Sequence, residues 1–96
     1  MKVNVCGLNY EVVEVEDSFD DTCHMGLIEY KNLLIKINKN MHSEVKEETL
    51  CHEMVHGILT HMGYDNLSND ERFVQALGNA IYQGFEVKKF MEDEQK

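Results

Sequence analysis

The chain has 96 residues, with 9 Lys+Arg against 18 Asp+Glu, a formal charge of −9, 43% hydrophobic residues and no proline. That length suits one compact domain, the composition lies outside the disordered and low-complexity ranges, and the acid surplus, with no offsetting basic patch, argues against a nucleic-acid partner. Apolar runs no longer than Leu33-Leu34-Ile35 and an N-terminus without an apolar signal core lead us to expect a cytoplasmic protein with no membrane partner.

In chain order, Val3, Val5, Tyr10, Val12 and Val15 recur at mostly two-residue spacing around the turn formers Cys6-Gly7-Leu8-Asn9, which predicts a hairpin. Glu16 to Asp21 is acidic and aperiodic, and a solvated loop is expected there. A second hairpin is expected from Leu27–Tyr30 and Leu33–Ile37 around Lys31-Asn32, closing a strand region over 1–38. Ser43 is placed to cap a helix over 43–62, ended by Gly63 and followed by a connection from Tyr64 to Leu67. Ser68 with Glu71 fits a capping box, and Val74, Leu77, Ile81 and Phe85 give helical spacing over 68–88, before a charged tail over 89–96. The expectation is therefore a single α+β domain, a largely antiparallel sheet of two hairpins followed by two packed helices. Cys6, Cys23 and Cys51 form no C-x-x-C pair and read as reduced thiols. His24 and His42 read as surface residues.

The first of those helices contains His52-Glu53-Met54-Val55-His56, an H-E-x-x-H sequence. The i, i+4 spacing sets both imidazoles one turn apart on one face, where each can give a nitrogen to one Zn²⁺. Glu53 projects ~100° round the helix, beside that ion, and can take a proton from a water there. On a helical wheel the histidines fall beside Val45, Thr49 and Leu59, apart from the broad apolar stripe of Leu50, Cys51, Met54, Val55 and Ile58. A catalytic zinc needs a third protein ligand, and the candidates are His61, Asp65, Asp70 and Glu71. His61 points ~140° away from His56 on a continuous helix, and Glu71, on the side of the second helix that should pack on the first, is preferred. The same carboxylate is also wanted by the capping box with Ser68. Gly78 would let the two helices approach closely. Tyr64 and Tyr82 are candidates for stabilising an oxyanion.

Thr49–Leu59 and Asn69–Ala80 resemble the paired active-site helices of the ImmA/IrrE metallopeptidases, particularly the small phage- and prophage-encoded members, and the hairpin around Gly26–Ile37 is similar to the sheet before their zinc helix. The resemblance covers roughly residues 1 to 90. It implies a gluzincin-like peptidase with one Zn²⁺, His52, His56 and Glu71 as ligands and Glu53 as general base. It further implies a protein or peptide substrate, such as a transcriptional repressor of the same mobile element. The segment His56–Asp65 is also similar to the YbeY-type endoribonuclease signature, but Thr60 is inserted and Asn66 stands where its last histidine belongs. An alternative of another class is an interaction module that binds a partner without cleaving it. Leu33–Ile37 is expected to offer the strand edge for an extended substrate. Oligomeric state has no signal in the sequence.

Overall fold

Val3 and Val5 alternate with polar neighbours to form β1 (Lys2–Val5), and Cys6-Gly7 turn the chain into β2 (Leu8–Val15). Both turn residues have positive φ, 52° and 89°, the backbone pair that matches a two-residue hairpin turn to the twist of its strands. β3 (Gly26–Glu29) and β4 (Leu34–Asn38) form a second antiparallel pair. This is a computed structural model that describes residues 1–16 and 25–94, with side chains through residue 84. Most of the expected acidic loop, together with Cys23, His24, Gln95 and Lys96, lies outside the described residues.

The two hairpins do not simply sit side by side. The strand order is β1-β2-β4-β3, and β2 pairs with β4 in parallel, with Val12 opposite Ile35, so the sheet is mixed rather than largely antiparallel. Burial gives the physical reason. Ile35 and Ile37 of β4 are among the most buried residues of the protein, whereas Leu27 of β3 is exposed, so the more apolar strand takes the interior place. Leu33–Ile37 therefore offers no free edge; among the described residues the outer strands are β1 and β3, and β3 is the one beside β4.

Three helices follow: α1 (Ser43–His61), α2 (Asp65–Ser68) and α3 (Glu71–Glu94). The cap of α1 is His42 rather than Ser43, its Nδ1 accepting from the Glu44 amide at 3.1 Å. The stretch expected as a bare connection holds the single turn α2, and α3 runs past the expected stop near residue 88 into the expected tail. Ser68 is not the cap of α3. Asp70 Oδ1 accepts from the Phe73 amide at 3.2 Å and takes that role.

α1 is apolar on two sides. Leu50, Met54 and Ile58 pack against Val5, Tyr10, Ile35 and Ile37 of the sheet, while Val55 and Leu59 pack against Val74, Leu77 and Ile81 of α3. The helix thus lies between the sheet and α3, and its remaining face opens between them. No helix among the described residues is long and apolar enough to cross a membrane.

Candidate metal centre

His52 and His56 stand one turn apart on that open face, and α3 begins beside them with Glu71 as its first residue. The two Nε2 atoms are 3.2 Å apart, Glu71 Oε2 is 3.2 Å from His52 Nε2, and Glu71 Oε1 is 2.9 Å from His56 Nε2. In a tetrahedral site with bonds of about 2.05 Å, neighbouring ligand atoms lie about 3.3 Å apart. The two imidazole nitrogens stand close to that separation, each has a Glu71 oxygen within 3.2 Å, and one donor atom from each residue lies within 4.8 Å of the others, so these three residues could hold one metal ion. Two imidazoles and a carboxylate are the donor set that suits Zn²⁺.

The geometry is set by packing elsewhere on the same helices. Gly78 of α3 faces the backbone of His52, where an added Cβ would lie 3.4 Å from the His52 Cα, so the helices cross at close contact behind the histidines. Because Asp70 caps α3, the Glu71 carboxylate is not engaged at the helix end and turns toward the imidazoles. Behind His56, Ser68 Oγ donates to the His56 carbonyl oxygen at 3.1 Å and lies 2.7 Å from Thr60 Oγ1, which donates to the Tyr30 hydroxyl at 3.1 Å. This hydroxyl chain ties α1 to α2 and to the end of β3.

Glu53 lies on the other flank, under β3. It is only 7% exposed, and among the described residues its carboxylate has no hydrogen-bond or ion-pair partner. Burial pushes its carboxyl up to about 7, with the Glu71 charge acting in the same direction and His52 opposing. The close approach of β3 depends on Gly26, where a Cβ would meet Thr49 Cγ2 at 2.6 Å and Glu53 Cγ at 3.3 Å. A cavity of about 780 Å³ collects Glu53, His52, His56 and Glu71 together with Gly26, Tyr30 and Thr60.

The other sequence candidates go elsewhere. His61 Nε2 is 2.5 Å from the Tyr10 hydroxyl, and its ring stands edge-on to Tyr30, so it serves the sheet contact. Asp70 caps α3, and Asp65 lines the cavity without joining the three-residue group. Tyr64 is exposed and Tyr82 donates to Glu47 Oε2 at 2.9 Å; neither lines the cavity. Tyr30 does, and the sequence analysis missed it because nothing in the local pattern aims the last residue of a hairpin strand at a distant helix. Thr60 was findable, being four residues beyond His56 on the same face.

No protein-family model, curated protein or solved structure matches the chain.

Proposed function

We propose that the protein is a zinc-dependent peptidase of the ImmA/IrrE kind, with His52, His56 and Glu71 as zinc ligands and Glu53 as general base. The observation that carries this reading is the meeting, in one cavity, of three metal-capable donors and the carboxylate of the largely buried Glu53, which opens into that cavity. Desolvation of the charged form at that site costs stability, and a proton-transfer role accounts for the retention of a carboxyl there. Zn²⁺ bound there supplies the Lewis acid that polarises a carbonyl and makes water acidic enough to lose a proton near neutral pH. Glu53 takes that proton from the attacking water as the C–O bond forms. It then gives the proton to the amide nitrogen as the C–N bond breaks, releasing an amine and a carboxylic acid. The substrate is an extended protein segment that pairs with the outer edge of β3, which borders the same cavity. A repressor or other regulatory protein of a mobile element is the proposed target, by the resemblance of the two helices.

The test is Glu53→Gln in zinc-loaded protein. Zinc retained with peptide cleavage lowered by at least about a hundredfold is expected for loss of a general base; cleavage at the wild-type rate would overturn the mechanism. Retained zinc with no cleavage by wild type of any protein offered would favour an interaction module.

A further inference from the structure

The cavity is not the only depression at the cluster. A shallow, open depression adjoins it along α3, lined by His52, Glu71, Arg72, Gln75, Ala76 and Asn79. It shares His52, Glu71 and Gln75 with the cavity, so an extended ligand lying over the histidines has one end beside β3 and the other along α3.

Arg72 is the only arginine of the chain and sits in a molecule of net charge −9. Lys36, Lys39 and Lys46 each pair with a glutamate, whereas Arg72, like Lys2 and Lys31 on the sheet, has no ion-pair or hydrogen-bond partner among the described residues, and it alone of these three lies beside the metal cluster. It is also the second residue of α3, where the helix dipole disfavours a cation. Local structure therefore gives this side chain no reason to be basic. Its surroundings point the same way. Gln75 Nε2 donates to Glu48 Oε1 at 3.3 Å and to Asn79 Oδ1 at 3.0 Å, which occupies the acceptor of Asn79 and leaves its amide donor without a partner among the described residues. Arg72 and Asn79 are seven residues apart, two turns along one face, so both residues line the same depression.

We infer that Arg72, assisted by Asn79, forms a carboxylate-binding subsite beside the metal cluster, so that the preferred substrate carries a negative group just beyond the bond positioned at His52, His56 and Glu71. The guanidinium fork matches a carboxylate in two parallel hydrogen bonds. The group is either an acidic side chain or the free carboxyl terminus of the substrate. The inference rests on the peptidase reading, which it deepens.

The probes are three short peptides that differ in one group. Each starts with a hydroxamate to hold the metal; one continues with Leu-Ala-Glu-amide, one with Leu-Ala-Gln-amide, and one with Leu-Ala-Gln ending in a free carboxylate. Affinities are measured by calorimetry at low salt for zinc-loaded wild type, R72K and R72Q. At least one charged probe should bind wild type about five- to tenfold tighter than the neutral probe, the size of a partly exposed charged hydrogen-bond pair. R72Q should abolish the difference and R72K should restore part of it. Which charged probe gains identifies the side chain or the terminus as the source. Equal binding of all three by wild type, or a difference that survives in R72Q, would overturn the subsite. An Arg72-dependent difference in a protein that cleaves no peptide would instead count against the peptidase reading and keep the subsite.

Discussion

α1 meets the rest of the molecule along two seams, and the two are built differently. Against the sheet it presents Leu50, Met54 and Ile58 to a core that contains the fully buried Tyr10 and Ile35. Against α3 the middle is equally apolar, with Val55, Leu59 and Val74, but where α3 begins the seam becomes polar and holds His52, His56 and Glu71. The Glu71 side chain there is 69% exposed. The contrast teaches that the cluster does not hold the helices together; apolar contacts further along the same helices hold the cluster in place.

The largest expected effect breaks the sheet seam. Ile35→Ala should cost about 2 to 5 kcal/mol and lower the melting midpoint by roughly 10 to 25 °C, whereas His56→Ala in chelator-treated protein should shift it far less. Calorimetry of the two variants side by side checks this, and a larger loss in His56→Ala would reverse the comparison.

Next is the cost of burying Glu53. Because its folded value of about 7 lies above the ordinary carboxylate range, folding is penalised once pH exceeds the unfolded value and fully so above about 7. Metal-free Glu53→Gln should therefore gain at most about 3 kcal/mol over wild type at pH 8 and almost nothing at pH 4. Denaturant titrations at the two pH values measure it, and an equal gain at both would contradict the burial argument.

Gly26→Ala sharpens the sheet seam further, since its Cβ would fall 2.6 Å from Thr49 Cγ2. The cost should be about 1 to 3 kcal/mol, read from urea midpoints, with weaker peptide cleavage as β3 is displaced from Glu53. Smallest is Ser68→Ala, which removes the donor to the His56 carbonyl and should cost about 1 kcal/mol. A zinc affinity measured alongside should fall, because the turn that carries His56 loses its tie to α2.

Much of this was legible in the residues. Spacing alone placed α1, the two hairpins and the face shared by His52 and His56 apart from the apolar stripe, because period and turn chemistry are local properties. What escaped the sequence was decided between distant segments. The parallel pairing of β2 with β4 follows from the competition of β3 and β4 for the interior, which no single strand reveals. Ser68 read as a cap, yet its hydroxyl faces the carbonyl of His56 on another helix, and that reassignment leaves Asp70 as cap and Glu71 available to the cluster. The wheel set His61 apart from the histidine pair; its actual partner, Tyr10, comes from a strand 51 residues away.

The central claim is that His52, His56 and Glu71 bind one zinc ion. Elemental mass spectrometry of wild type, His56→Ala and Glu71→Ala, purified identically without added metal, tests it most directly. The account predicts about one zinc per wild-type chain and loss of that zinc in both variants while their circular dichroism stays that of the folded protein. A folded wild type that takes up no zinc even when zinc is supplied would contradict it.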